Sequence, residues 1–312
     1  MKKKVAVLMA TYNGMAYVKE QIDSILDQQE VDIQLFISDD SSSDGTLDYI
    51  KGLGKKRITI LDNSNENLGS AGKNFFYLIC NVNVSEYDYV ALADQDDIWL
   101  KNKLEKAITY LINNNADSYS SGFCAFWEDG RKKYFKKSPK LAKYDYLFSS
   151  PGPGCTFVLK TCIIQSLMQY ISSNKLNSNV QHHDWAIYAW ARSMNFKWVI
   201  DTNSYILYRQ HASNDTGVNN GYNAIEKRIK WIIKGWYTSQ IIQILDFIKY
   251  TNNFNNSFNC FKVGRVQFLS GYLSYRRNKR ECLFVLMLLL FNIISQKKIK
   301  YSIMKIESEI FG

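Results

Sequence analysis

The first 120 residues alternate short apolar runs with amphipathic segments, and this alternation most constrains the fold. Apolar residues at helical spacing lie between the runs and after the last one. Four runs predict buried strands: KVAVLMA (4–10), DIQLFISDD (32–40), RITILDN (57–63) and DYVALAD (88–94). A repeated strand–helix order predicts an α/β domain, a Rossmann-like and mostly parallel sheet flanked by helices.

Polar clusters follow three of these predicted strands. They are ATYN (10–13), SDD (38–40) and ADQDD (93–97). Because ligands of such sheets bind beyond the carboxyl ends of the strands, the three clusters are expected to meet in one crevice.

The ADQDD motif places three carboxylates, Asp94, Asp96 and Asp97, within four residues. Carboxylates are preferred ligands of Mg²⁺ and Mn²⁺, which commonly bridge them to substrate phosphates. The alternative is an acidic turn that caps the following helix, where Asp is also favoured.

Three further motifs each have a binding and a structural interpretation. Asp40 could accept hydrogen bonds from a ribose or a base, or serve turn chemistry. Asp184, in QHHDW, could be a general base or the N-cap of a helix. In YRQH, Arg209 and His211 could meet phosphate or metal, or lie in a surface loop.

The glycine-rich phosphate motifs are absent. ATYNGMAY carries a single glycine where a dinucleotide fold needs GxGxxG. NLGSAGKNF has Asn67 and Asn74 where a P-loop needs Gly and Ser or Thr. Phosphate in the crevice would therefore be met by cations.

Charge is concentrated in the C-terminal third. The chain has a net charge of +10, and residues 221–312 hold 15 Lys/Arg against 5 Asp/Glu. Basic residues there accompany Trp and Ile, as in Lys230, Trp231 and Ile232, which suits a helix lying on an anionic membrane. The alternative is a core helix with a solvated basic face. We predict two domains, 1–220 and 221–312.

The remaining composition indicates a cytosolic protein. The six cysteines form no CxxC pair and fit reduced thiols. The longest apolar run, Cys282–Ile294, is shorter than the roughly 20 residues of a membrane-spanning helix.

Seven motifs over about the first 215 residues together resemble family 2 glycosyltransferases of the GT-A fold. They are VAVLMATYNG, LDQQEVDIQLFISDDSSSDGT, NENLGSAGKNF, YVALADQDDIWLKNKL, GPGCTFVLK, HHDWAIYAWA and YRQHASN. The combination of NLGSAGKNF, DQDDIW, HDW and YRQH is similar to bacterial rhamnosyltransferases of polysaccharide assembly.

The resemblance implies a role for each motif residue. Asp184 would be the catalytic base, and Asp96 with His211 would bind Mg²⁺ or Mn²⁺. Five residues would shape the acceptor side: Gly154, Cys155, Thr156, His183 and Trp185. Eight would bind the nucleotide-sugar, with Asp40 at the base and Lys73 at the diphosphate: Thr11, Tyr12, Asn13, Asp40, Asn67, Gly69, Lys73 and Asp94.

The resemblance also implies an inverting transfer. The donor would be dTDP-L-rhamnose, or else a UDP-linked hexose, and the acceptor a lipid-linked glycan of O-antigen, capsule or cell-wall synthesis. The enzyme would work at the cytoplasmic face of the membrane. Two rivals are a nucleotidyltransferase, whose Gly-rich basic signature is missing, and a non-enzymatic basic protein. Nucleic acid is not an expected partner, because no nucleic-acid motif is present.

Overall fold

The computed structural model describes residues 1–63, 68–137, 140–174, 176, 182–211, 235–255, 261, 269, 271–277, 279–290 and 296–311. The chain divides into two compact units. The first unit comprises Met1–Lys137, Pro151–Asp184 and Phe196–Asn214. The second comprises Ser138–Ser150, Trp185–Asn195 and Asp215–Gly312. The domain boundary predicted near residue 220 lies outside the described residues.

The first unit opens with the predicted alternation of strands and helices. The elements are β1 (Lys3–Thr11), α1 (Val18–Leu26), β2 (Val31–Asp39), α2 (Thr46–Gly52), β3 (Ile58–Ile60), α3 (Ala71–Asn81) and β4 (Tyr89–Ala93). The four strands lie parallel in the order β3-β2-β1-β4, which confirms the predicted fold class. The ends of β2, β1 and β4 are therefore neighbours at one sheet edge.

The rest of the first unit extends this sheet with mixed pairing. The elements are β5 (Ile98–Trp99), α4 (Lys103–Asn113), β6 (Ser118–Trp127), β7 (Lys132–Phe135), β8 (Val158–Lys160), α5 (Thr161–Ser173) and β9 (Trp198–Gln210). The sheet continues from β4 through β8, β6 and β9 to β5, and β7 pairs with β6. Strands β6 and β9 are parallel, whereas β8 is antiparallel to both of its neighbours.

Burial explains why β1 is continuously apolar. Val5 to Met9 have no solvent exposure, because helices cover both faces of this strand. Sequence periodicity missed two features here. Trp99 lies in β5 instead of opening the next helix, and β9 runs for 13 residues through a region without a regular pattern.

The second unit is helical in its described part. Its elements are α6 (His183–Ser193), whose first two residues fall in the first unit, then α7 (Trp236–Phe247), α8 (Lys279–Leu290) and α9 (Gln296–Phe311). Ile241 and Ile244 of α7 are buried, as are Ile299 and Ile303 of α9. No helix in the described segments has the length and apolar content needed to cross a membrane.

A buried carboxylate organises the polar interior of this unit. Asp145 has no exposed surface, and its two oxygens face Arg192 at 3.0 Å and Arg277 at 3.2 Å. Tyr188 Oη donates a further hydrogen bond to Asp145 Oδ2 at 2.9 Å. Two cations and a hydroxyl thus compensate one buried charge.

Part of the C-terminal basic cluster is used inside the unit. Arg276 pairs with Glu281 at 2.7 Å and donates to the Phe148 carbonyl at 2.9 Å, while Arg277 faces Asp145. The basic region after residue 220 was predicted to suit a membrane surface, and for these two arginines of that region the contacts are internal instead. The basic segment with Lys227, Arg228, Lys230 and Lys234 lies outside the described residues.

We expect Asp145→Ala to lower the free energy of unfolding by about 3–5 kcal/mol, because it leaves buried guanidinium groups uncompensated. Urea denaturation measures this. The control is Asp27→Ala, which breaks the exposed pair between Asp27 and Lys101 and should cost less than about 1 kcal/mol. Equal losses in both variants would contradict the internal role of Asp145.

Candidate active site

The ends of β1 and β2 are tied together by side chains. Thr11 Oγ1 donates to Asp39 Oδ2 at 2.7 Å, and Ser42 donates to the same carboxylate through its N–H and its hydroxyl. Asn13 has a positive φ of 46°, and its Oδ1 accepts the Ser43 N–H at 2.8 Å. Asp39 is buried, so it fixes the loop that follows β2.

Asp40 holds a second loop against the same strand end. Its oxygens accept the N–H groups of Leu68 at 3.1 Å and Gly69 at 2.8 Å. The Ser70 hydroxyl then caps α3 by accepting the Lys73 N–H at 3.3 Å. Gly69 is thereby brought beside Asp40, and Lys73 follows in the first turn of α3, whereas Asn67 lies outside the described residues. Base recognition by Asp40 stays a prediction.

Gln95 joins the β4 end to the β1 end. Its amide exchanges two hydrogen bonds of 2.8 Å with the N–H and carbonyl of Tyr12. A Cβ on Gly14 would lie 2.2 Å from Gln95 Oε1, so a larger residue there would displace this amide from Tyr12. The Tyr12 ring is 58% exposed beside this junction and is accessible to a ligand.

The acidic turn after β4 is closed by the end of β9. His211 Nε2 lies 2.7 Å from Asp96 Oδ2, and their side chains are 9% and 13% exposed. The Arg209 N–H donates to Asp97 Oδ1 at 3.1 Å, and its Nε donates to the Asp96 carbonyl at 2.9 Å. Residues more than 110 positions apart therefore form one site.

Helix α1 and the residue before it support this junction. The His211 ring stacks on Tyr17 with centroids 4.6 Å apart. The Arg209 guanidinium lies over the rings of Tyr17 and Phe126 and pairs with Glu20. These contacts fix the His211 ring before any ligand binds.

A buried ionisable cluster lies behind the acidic turn. One ligand atom each from Asp94, Asp97 and Cys155 falls within 4.8 Å of the others. Burial, with Asp96 and Asp94 nearby, raises the pKa of Asp97 well above the usual carboxyl range. Burial lowers the pKa of Lys103 to about 7, although Cys155 and Asp97 oppose that shift. Both groups are shifted toward their neutral forms, which are less costly to bury.

Two sets of residues could hold a divalent cation, and Asp96 with His211 is the better candidate. Asp97 and Cys155 have no exposed surface, so a substrate diphosphate could not share an ion there. Lys103, whose Nζ lies 3.4 Å from the Trp99 ring centroid, interacts electrostatically with the same Asp97 and Cys155. Asp96 and His211 offer a carboxylate oxygen and an imidazole nitrogen at one point, which fits a divalent metal.

His183 links α3 to the loop before β8. Its ring stacks on Phe75 of α3 with centroids 4.0 Å apart. Gly154 lies against the same ring, since a Cβ there would be 2.4 Å from His183 Nε2. Asp184 follows at the first turn of α6 and is partly exposed.

The other residues predicted on the acceptor side are buried. Cys155 belongs to the ionisable cluster, and Thr156 Oγ1 donates to the Pro153 carbonyl at 2.8 Å. Trp185 lies in the second unit, where its Nε1 donates to the Tyr146 carbonyl at 2.7 Å. Their contribution to acceptor binding stays a prediction.

The predicted site residues of the first unit form one continuous set of contacts. Asp40 holds Gly69, and α3 begins directly afterwards and carries Phe75 to His183. His183 lies on Gly154, whose neighbour Cys155 reaches Asp94 in the acidic turn. That turn carries Asp96, which faces His211. Contacts and chain neighbours thus connect these residues within the first unit, and their action as one binding site stays a prediction.

Lys103 of this site was not predicted from the sequence, whereas Asp39, Gln95 and Asp97 lie in the predicted polar clusters without an individual binding role. Lys103 is part of a regular amphipathic helix pattern, and nothing in that pattern marks it as buried. Gln95 is the second residue of DQDD, and the spacing of the carboxylates assigns it no role.

Gly154→Ala should destabilise the protein by roughly 1–3 kcal/mol, because the new methyl group displaces His183 from Phe75. The matched control is Gly52→Ala, where a Cβ meets nothing within 4 Å, and it should be neutral or slightly stabilising. Urea titration compares the two variants, and equal stabilities would contradict this contact.

Comparison with known proteins agrees with this geometry. A family model described as glycosyl transferase family 2 matches residues 6–166. The dTDP-rhamnosyl transferase RfbG of Shigella flexneri is 37% identical over 289 residues, covering 91% of this chain and 100% of that protein. WfgD of Escherichia coli, a UDP-Glc:alpha-D-GlcNAc-diphosphoundecaprenol beta-1,3-glucosyltransferase, is 26% identical over 155 residues, 50% of this chain and 59% of that protein.

A solved structure shares the fold. The mannosyltransferase PcManGT from Pyrobaculum calidifontis, in complex with GDP-Man and Mn²⁺, has a TM-score of 0.51 at 13% identity. The match covers 98% of this chain and 87% of that one. The predicted resemblance is confirmed, and this chain is a glycosyltransferase that belongs to glycosyl transferase family 2.

Proposed function

We propose that the enzyme transfers L-rhamnose from dTDP-L-rhamnose to a lipid-linked glycan in the synthesis of a bacterial surface polysaccharide. The observation that carries the proposal is the contact set joining Asp40, His183 and the Asp96–His211 pair in one unit. The sugar is supported by the 37% identity to a dTDP-rhamnosyl transferase along almost the whole chain.

The donor end of the site contains the groups that a nucleoside diphosphate needs. Tyr12 offers an exposed ring, and Asp40 with Gly69 supplies hydrogen-bonding groups at the nucleotide end. Lys73, in the first turn of α3, supplies positive charge for phosphate. Asp94 and Asn13 complete the polar lining, and Thr11 acts through Asp39 as a support.

A divalent cation, Mg²⁺ or Mn²⁺, fits at Asp96 and His211, where it would neutralise the charge of the leaving diphosphate. The Mn²⁺ in the mannosyltransferase of the same fold supports this choice of cofactor. Arg209 donates hydrogen bonds to the Asp96 carbonyl and to the Asp97 carboxylate, and these bonds hold the acidic turn in which the Asp96 carboxylate faces His211.

Asp184 is proposed as the general base. It would take the proton from an acceptor hydroxyl while that oxygen attacks the anomeric carbon and the bond to the diphosphate breaks. A single displacement inverts the anomeric centre, so a β-linked donor gives an α-linked rhamnoside. His183, held between Phe75 and Gly154, fixes the backbone that carries Asp184.

The acceptor and the location follow from the relatives and from charge. One relative acts on a diphosphoundecaprenol-linked sugar, which supports a lipid-linked acceptor at the cytoplasmic face of the membrane. The excess of Lys and Arg after residue 220 suits peripheral attachment to an anionic surface.

A donor panel tests the proposed function. Purified enzyme is incubated with dTDP-L-rhamnose, UDP-glucose or GDP-mannose, and release of the nucleoside diphosphate is measured with Mn²⁺ or with EDTA. We expect dTDP release that EDTA abolishes and Mg²⁺ or Mn²⁺ restores. Release of UDP alone would identify a UDP-hexose donor, and release of pyrophosphate would identify a nucleotidyltransferase.

We expect Asp96→Asn to weaken metal-dependent dTDP binding about 100-fold, because a metal ligand is removed. Titration calorimetry with Mn²⁺ measures this. Asp48→Asn, at an exposed position of α2, should bind as the wild type does. Unchanged affinity in the Asp96 variant would remove the metal assignment.

Asp184→Asn should lower transfer about 10²–10⁴-fold while the Kd for dTDP stays within about twofold, since the base acts on the acceptor alone. Transfer assays and calorimetry on one preparation compare the two quantities. A parallel loss of nucleotide affinity would show that Asp184 supports the donor pocket instead.

A further inference from the structure

One edge of the sheet in the first unit carries a dense cationic segment that the proposed function does not use. The basic strand, Arg131–Lys137, has the sequence RKKYFKK, with five cations in seven residues. It follows a turn at Gly130, where φ is +84°, and includes β7, which pairs antiparallel with β6.

Most of this charge is exposed and uncompensated. Lys132, Lys133 and Lys136 are exposed, and no ion pair engages them within the described part of the chain. Arg131 is partly neutralised by Asp129 at 2.6 Å. The strand therefore presents a local positive field to solvent.

An exposed aromatic ring lies in the middle of these lysines. Tyr134 is 68% exposed, and strand periodicity puts it on the same face as Lys132 and Lys136. The next residue, Phe135, turns inward and stacks on Phe123 with centroids 5.0 Å apart. The backbone under the exposed face is thus anchored.

Lysines on an edge strand also prevent strand pairing between molecules. That role explains the charges, but it gives no reason to keep a tyrosine in water between them. Tyrosine flanked by lysines is the composition of a membrane–water interface, where the ring sits among headgroups and the ammonium groups meet phosphates.

A cleft of about 270 Å³ opens beside this face. Tyr134, Phe135 and Lys136 line one side, and residues 202–205 line the other. The cleft offers an aromatic wall, an ammonium group and polar side chains, which suit the phosphate and glycerol of a lipid headgroup.

The register of the sheet connects the basic strand to the candidate active site. Lys132 pairs with Phe126, and Phe126 pairs with Arg209. At a strand spacing of about 4.8 Å, the backbone of Lys132 lies roughly 10 Å from that of Arg209, which holds the acidic turn. A membrane at the basic strand would therefore lie near the site.

We propose that the basic strand, with Tyr134 and the adjoining cleft, docks the first unit on an anionic phospholipid surface. Docking there would bring a lipid-linked acceptor close to the candidate active site. That consequence rests on the proposed function, whereas membrane binding itself does not. The surface is separate from the C-terminal basic region after residue 220.

The test measures binding of the full-length chain to vesicles of phosphatidylcholine alone or mixed with phosphatidylglycerol, without donor or acceptor. The variant combines Lys132→Gln, Lys133→Gln and Lys136→Gln. The control combines Lys2→Gln, Lys51→Gln and Lys56→Gln, three exposed lysines of the same unit, and changes net charge equally. Urea denaturation of each variant checks that the fold is intact, independently of any activity.

Each lysine near an anionic surface strengthens binding roughly fivefold, so the triple variant should lose on the order of 100-fold in partitioning. The control should lose much less, and Tyr134→Ser should weaken binding even at high salt. Equal losses in both triple variants, or none, would overturn the proposal. The proposal would also be overturned if the protein bound heparin more tightly than vesicles and the triple variant lost that binding, because the strand would then recognise an acidic polymer.

Donor hydrolysis separates this inference from the proposed function. If the protein hydrolyses dTDP-rhamnose but does not bind anionic vesicles, the proposed function is supported and the proposed membrane surface is contradicted. If the protein binds vesicles through the basic strand but releases no dTDP, the membrane surface is supported and the proposed donor is contradicted.

Discussion

The contact between the end of β9 and the acidic turn after β4 is the constraint on which the candidate site depends. Arg209 holds Asp96 and Asp97 through its backbone and its guanidinium, and His211 meets the Asp96 carboxylate. Adjacent carboxylates repel one another, so the turn needs cations and N–H donors to remain folded. The same contacts orient the carboxylate and imidazole that a metal would use.

The interior behind this turn contains ionisable groups, whose burial is unfavourable for the free energy of folding. Asp97, Cys155 and Lys103 have almost no exposed surface, and their pKa values move toward the neutral forms. An apolar core of the same volume would be more stable. Asp97 instead helps to hold the acidic turn at one position, because moving it would break the hydrogen bond that its Oδ1 accepts from the Arg209 N–H.

The positive charge of the chain has more than one use. Within the second unit, Arg192 and Arg277 neutralise the buried Asp145 carboxylate, and Arg276 donates a hydrogen bond to the Phe148 carbonyl. In the first unit, the basic strand keeps its lysines in solvent. Net charge alone therefore locates neither a membrane surface nor a partner, because burial decides which cations are available.

The sequence by itself determined the fold class and the place of the site. Continuous apolar runs such as Val5 to Met9 require burial on both faces of a strand, which predicts a parallel sheet. The polar residues that follow the strands are then expected at the same end of that sheet. The positions of Asp40 and Asp96 could be predicted because local periodicity fixes strand ends, whereas the role expected of Asp184 came from the family resemblance.

Only the tertiary structure decided which groups meet. Strand β9 has no regular alternation, so its pairing with β6, and hence the contact of His211 with Asp96, depends on partners far along the chain. Lys103 and Arg277 resemble surface cations in sequence, and their burial follows from what packs against them. Periodicity records the local conformation of a residue, whereas the charge state and contacts of a side chain are set by distant neighbours.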